Sequence, residues 1–158
     1  GYQMMGSVIS DPHGSEGGGS IAGMGIFDTS TVFSEEKRQV RVTGRFLEPE
    51  GFFGYLSGAE FYGYEIHMGV TEGGGKPLTT AGGNWTQNAA GCYIHGIFDS
   101  AEVSGRTVKA LYEAKGLVYS GKATDRREYR EKQFDILADA VRESLDIPKI
   151  YDIMREGV

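Results

Sequence analysis

The sequence predicts an α/β fold, and two observations carry that prediction. Segments in the first two thirds alternate apolar and polar side chains with period two, whereas the last third repeats its apolar residues at helical spacing. Between them Gly91 to Phe98 reads as an apolar strand followed at once by helix signals, an order in which strands and helices share one domain. A length of 158 residues suits one domain rather than two.

Taken in order, Tyr2 to Ile9 reads as a short helix or the end of one. Asp11-Pro12 stops it, because a residue before proline is pushed out of helical geometry. Residues 13 to 20 are rich in glycine and read as a loop, with a short apolar segment from Ile21 to Phe27 beyond it. From Gln39 to Leu47 the residues alternate: Val40, Val42 and Phe46 share one face, and Arg41, Thr43 and Arg45 the other, as in a strand with one side in water. Gly63 to Thr71 repeats the pattern, with Tyr64, Ile66, Met68 and Val70 opposite Glu65 and His67.

Gly91 to Phe98 is apolar on both faces apart from His95, which predicts a strand buried in the middle of a sheet. Asp99 then stands as a cap with Glu102 three residues later, Val103, Val108, Leu111 and Tyr112 supply a buried face, and Gly116 closes the helix. Phe134, Leu137, Ala138, Val141 and Leu145 mark a second helix. Pro148 opens a last short one over residues 149 to 155, packing Ile150 and Ile153.

Hydrophobic residues at 39% and charged residues at 24% are ordinary for a globular chain. Glycine is the outlier at 25 residues, without a collagen period, and so reads as turns and loops. The net charge of −6 and the absence of a lysine–arginine stripe exclude nucleic acid as a main partner. No apolar run approaches the ~20 residues needed to cross a bilayer, and no signal segment stands at the start, so no membrane partner is expected. One cysteine, Cys92, forms no internal disulfide, which places the chain in a reducing cytoplasm. Asn84-Trp85-Thr86 forms a glycosylation sequon, read as chance without a secretion signal.

Among chemistry-bearing residues, Gly23-Met-Gly25 begins a glycine fingerprint, but Asp28 occupies the third glycine position and the segment reads as a loop. His13, His67 and His95 show no metal-ligand spacing, so no metal site is expected. His13 falls in the glycine-rich loop. His67 and His95 interrupt apolar strands, where a histidine is more often a satisfied packing residue than a reactive one. His95 ranks higher because Gly96-Ile-Phe-Asp99 ends its strand directly, and strand ends are where α/β folds place their chemistry. Cys92, at an odd separation from His95, leaves an extended strand on the other face and reads as a small buried residue.

Gly63-Tyr-Glu-Ile-His-Met-Gly69 and Gly91-Cys-Tyr-Ile-His-Gly-Ile-Phe-Asp99 resemble two signature segments of the glutaminase domain of the cobyric acid synthase family. Gly1-Tyr-Gln-Met-Met-Gly6 resembles the stretch after that family's nucleophile, in the pattern Cys-Gly-Gly-Tyr-Gln. The segment from Asp11 to Val42 and the tail from Phe134 to Asp146 match in order, so the resemblance covers nearly the whole chain. It implies a class I-like glutamine amidotransferase: a flavodoxin-like α/β sheet with flanking helices, of which residues 1–158 are the C-terminal part and the first strands are missing. The chain's opening on Gly1, without an initiator methionine, fits that reading.

The same resemblance implies His95 as the catalytic base and acid, with Gly1 and Gln3 beside the nucleophile in the glutamine site. The nucleophilic cysteine would stand two positions before Gly1, so these residues alone are expected to be inactive as a glutaminase. Other class I enzymes carry a glutamate two residues after the histidine; here that residue is Ile97, and Glu65, His67 and Asp99 are the orienting candidates. No cofactor is expected in this domain; ATP and magnesium belong to a synthetase domain, where ammonia reaches carboxylates of a corrin substrate. Removal of the first strands is expected to expose a sheet edge and make the chain self-associate. Alternatives are a cobyrinic acid a,c-diamide synthase-type enzyme, a relative that amidates a lipid-linked cell-wall precursor, and a non-catalytic module with the same fold.

Overall fold

Pairing between distant segments decides the fold more than local propensity does. The computed structural model describes residues 1–157. Its strands are β1 (Val8–Asp11), β2 (Gly19–Ala22), β3 (Thr29–Arg45), β4 (Glu60–Gly73), β5 (Lys76–Thr79), β6 (Gly82–Trp85), β7 (Ala90–Gly91) and β8 (Ile94–His95). They form a five-stranded sheet in the order β2-β1-β3-β4-β8 and a three-stranded sheet in the order β5-β6-β7. In the larger sheet β1 runs parallel to β3 and the other pairs are antiparallel. Three helices follow, α1 (Ala101–Ala114), α2 (Arg126–Ser144) and α3 (Ile147–Glu156), giving the mixed α/β class that the patterning predicts. The chain forms two compact units, one ending at Ala123 and one beginning at Thr124.

The long β3–β4 hairpin is the backbone of the first unit. The alternation seen over residues 39–47 and 63–71 extends well beyond those limits, with one irregularity in register between Val32 and Lys37. Burial is uneven along it: Phe46 is buried and Val42 packs against the core, whereas Val40 is exposed. The core gathers Phe46, Leu56, Ala59, Phe61, Leu78, Trp85, Ile94, Ile97 and Val103. Phe46 and Phe61 meet edge to face at 5.5 Å, the arrangement that aromatic quadrupoles favour. A bridge between Phe46 and Thr79 joins the two sheets over this core.

Two expectations fail, for one reason. The stretch from Tyr2 to Ile9 is a 3-10 turn over Gln3–Met5 followed by β1, not a helix. Its backbone is claimed by residues far along the chain: the Ser7 N–H donates to Thr29 O, and Val8 to Ser10 pair with Ser30 to Val32. The run from Gly91 to Phe98 is not a buried central strand either. It breaks at Cys92 and Tyr93, so that Gly91 pairs with β6 in one sheet and Ile94–His95 pairs with β4 at the edge of the other. The run is apolar on both faces because it crosses between the sheets, sending Ile94 and Ile97 into the core.

Ser100, rather than Asp99, occupies the N-cap of α1, and Val103 is fully buried beneath the helix. Gly116 ends the helix in the left-handed region at φ 70°, donating its N–H to Glu113 O as the sequence predicts. Leu111 and Tyr112, expected on the buried face, are exposed. In the second unit Asp125 caps α2 by accepting from the Arg127 N–H, and Asp146 caps α3 by accepting from Lys149, with Pro148 in the first turn. Among the described residues no helix is long and apolar enough to cross a membrane.

Candidate active site

The site is laid out on one stretch of β4, Ile66 to Gly69, where two otherwise distant segments land. β8 pairs only with Tyr64 and Glu65, so beyond them this edge of β4 offers its carbonyls to side chains. His95 Nε2 lies 3.3 Å from Ile66 O. A carbonyl only accepts, so this contact has Nε2 donating, and in the neutral ring that leaves the lone pair a general base needs on Nδ1. Gln3 Nε2 donates to Met68 O at 2.8 Å, on the same stretch.

Two glycines make this approach possible. A Cβ on Gly63 would sit 2.4 Å from His95 O, closer than any side chain allows, so glycine lets β8 lie against β4. Gly96, at φ 76°, then turns the chain sharply after His95 and ends the strand there.

The opening segment is strapped in place from the other side. The Met24 N–H donates to Met4 O, and those of Ile26 and Phe27 donate to Met5 O. Tyr2 sets its ring edge against Tyr93 at 4.9 Å and 89°, and its hydroxyl donates to the Asn84 side chain. Burial, with Tyr93 and Cys92 adding to it, pushes the Tyr2 hydroxyl up to about 12, so it stays a donor at neutral pH. Between these segments lies a cavity of about 360 Å³, bordered by Gly1, Gln3, His67, Cys92 and His95 among others. Four residues singled out in the sequence therefore meet at one place: Gly1, Gln3, His67 and His95.

Glu65 faces away from His95. In the β4–β8 register His95 lies opposite Tyr64 and Glu65 opposite Ile94, which puts the carboxylate on the other face. There it takes hydrogen bonds from Arg38 Nε and His67 Nε2, each at 2.8 Å. Burial pushes this carboxyl up, but the bonds from Arg38 and His67 outweigh it and hold Glu65 below the usual range. His67 Nδ1 reaches Gly69 O at 2.9 Å, so both ring nitrogens face acceptors. Asp99 closes the turn after β8, donating its N–H to Gly96 O, while its carbonyl accepts from the Tyr62 hydroxyl at 3.0 Å.

Cys92 and His95 both border the cavity, as do Tyr93 and Ile94 between them. The odd spacing argument assumes an extended strand, and Cys92 stands in the break between β7 and β8. The thiol is still a poor nucleophile, because burial pushes its pKa up and leaves it protonated near neutrality. His13 lies in the exposed loop between β1 and β2. Among the described residues no group of three or more His, Cys, Asp or Glu is placed to hold a metal ion.

Sequence reasoning missed Tyr93, Tyr2 and the two carbonyl acceptors. Backbone carbonyls carry no signature in a sequence, but an aromatic residue beside a strand-end histidine is a signal that could have been followed.

The fold thus sets a strand-end histidine across a small cavity from a glycine-led turn. The class is that of the glutamine amidotransferases. Residues 1–103 match the CobB/CobQ-like glutamine amidotransferase domain, and the chain belongs to that family. Over its whole length the chain is 42% identical to the cobyric acid synthase of Ruminiclostridium cellulolyticum and 36% identical to that of Lachnoclostridium phytofermentans. It is 35% identical to the cobyric acid synthase of Dehalococcoides mccartyi. These matches take in 34%, 35% and 34% of the relatives, so the chain spans about a third of their length.

Proposed function

We propose that this domain hydrolyses the side-chain amide of glutamine and delivers the ammonia to an ATP-dependent amidation of corrin-ring carboxylates, the reaction of a cobyric acid synthase. The observation that carries the reading is the convergence of Gly1–Gln3 and His95 on one cavity, both keyed to the Ile66–Met68 backbone. In this reading the attacking group is a cysteine that the family pattern places two positions before Gly1. His95 Nδ1 takes the thiol proton, and the thiolate adds to the amide carbon of glutamine. The same proton passes from the imidazolium to the departing nitrogen, releasing ammonia and leaving a glutamyl thioester. Water then attacks the thioester with His95 again as base, and glutamate and the thiol are released.

Backbone N–H groups around the cavity steady the developing oxyanion. Gly1 leaves the substrate room beside the nucleophile, and Gln3, fixed to Met68, shapes the glutamine site. The domain uses no cofactor of its own; ATP and magnesium act where the carboxylates are activated, in the remainder of a longer protein. The setting is cytoplasmic, consistent with a single cysteine that stands as a free thiol.

The test is glutamate release by the complete polypeptide supplied with ATP and a cobyrinate diamide. His95→Ala should abolish glutamine-dependent amidation, with a loss of at least about 10²-fold, while amidation from added ammonia persists. Unchanged glutamine-dependent turnover would remove His95 from the reaction and favour a module that keeps only the fold.

A further inference from the structure

His95 and Gly1–Gln3 belong to different segments, and something must hold the two in mutual register. The side chain that touches this arrangement from beneath is His67. Its ring nitrogens each face an acceptor, Glu65 at 2.8 Å and Gly69 O at 2.9 Å, so either N–H finds a partner, and the side chain is only 11% exposed. A ring with an acceptor at each nitrogen and little exposure is restrained about its last torsion, so its plane is fixed relative to β4.

Tyr93 lies flat on that plane, with ring centroids 3.8 Å apart and an angle of 16°. The far end of Tyr93 is tied through its hydroxyl to Thr71 Oγ1, which in turn meets Thr31 Oγ1 at 2.7 Å on β3. Tyr2, the residue between Gly1 and Gln3, packs perpendicular to the Tyr93 ring. Tyr93 stands two residues before His95, so whatever fixes Tyr93 fixes the start of β8.

We propose that His67 is a positioning residue: locked by Glu65 and Gly69, it presents the plane on which Tyr93 sets His95 opposite Gly1–Gln3. The inference rests on the glutaminase reading above and deepens it. His67 does not need to touch glutamine. It acts through Tyr93, and Arg38, 2.8 Å from the second Glu65 oxygen, completes the chain of contacts that holds the ring. The competing explanation is that His67 merely fills space beneath Tyr93. A filler is replaceable by a ring of similar shape, whereas a pinned plane is not.

The decisive variant is therefore His67→Phe, which keeps the stack and removes both pins, measured in the complete polypeptide. Glutamine-dependent kcat should fall by about 10²-fold, the cost of displacing a reacting group by about 1 Å, with KM for glutamine changing much less. Amidation from added ammonia should be unaffected. Glu65→Gln, which leaves the ring in place and weakens one pin, should lower kcat less, and the double variant should be no worse than His67→Phe alone.

A wild-type kcat in His67→Phe, a parallel loss of the ammonia-dependent rate, or additive losses in the double variant would each overturn the proposal. Failure of the underlying reading looks different: His95→Ala would then leave glutamine turnover intact. Sensitivity at His95 with silence at His67 sinks only the positioning role.

Discussion

Asp11 shows how much one carboxylate can organise. Its oxygens accept the backbone N–H groups of Ser15, Glu16 and Gly18 at 2.9, 2.7 and 2.9 Å, closing the glycine-rich loop between β1 and β2. These bonds, that of Glu16 foremost, outweigh burial and hold the Asp11 carboxyl below its usual range. A folded value below the unfolded one, about 3.9, means the loop gains stability above that pH. The gain is lost as pH falls through the depressed folded value. Asp11→Asn should therefore remove the hydrogen-exchange protection of the Glu16 and Gly18 amides at neutral pH, and the wild type should lose it only in acid. Equal protection in both proteins would show that the loop holds itself.

Cys92 gives a second test at this scale: alkylation by iodoacetamide at neutral pH should be slower than that of free cysteine, because burial keeps the thiol protonated. Fast labelling there would contradict that. His95 was legible in the sequence because an imidazole interrupts an apolar run directly before a turn. Its acceptor on Ile66 was not, because every residue carries the same carbonyl.

Elements were legible where period and burial agree. The alternation of β3 and β4 and the glycine at the end of α1 needed no tertiary information. The split between β7 and β8 did, since a run that is apolar on both faces fits either one buried strand or two short strands serving different sheets. Only the backbone partners decide between these, and Gly63 is the residue that commits β8 to β4. Gly63→Ala would place a Cβ 2.4 Å from His95 O, against backbone that cannot swing aside as a flexible side chain can. The expected cost is about 1–3 kcal/mol in urea unfolding, within the range of overpacking, together with loss of glutamine-dependent activity. A stable variant with full activity would mean that β8 is not held by close approach.

At the scale of the molecule, the larger sheet leaves both a face and an edge uncovered. Val32 and Val70 lie opposite each other in register and are 48% and 57% exposed, and Tyr64, farther along the same face of β4, is 43% exposed. Neighbouring apolar side chains on a sheet face gain from being covered, by roughly 25 cal/mol for each Å² removed from water. The edge adds to this. β4 runs to Gly73 but β8 pairs it only at Tyr64 and Glu65, so the stretch beyond carries backbone groups that no strand of the sheet takes on that side. Side chains meet three of its carbonyls, His95 at Ile66, Gln3 at Met68 and His67 at Gly69, and the first two carry the residues that face each other across the site. The uncovered edge and the candidate active site thus share one side of β4, and covering the edge should also shelter the cavity. Residues 1–158 alone should then self-associate, with a mass by light scattering that rises with concentration above the 17.2 kDa of one chain. They should also release no glutamate from glutamine, since partial burial pushes the Cys92 thiol pKa up and leaves it protonated near neutrality. Replacing Val70 by lysine should reduce association by charging the exposed face without touching the core. A mass that stays at one chain across the accessible range would show that the edge is protected by its own twist and side chains, and that the site needs no neighbour to keep it dry.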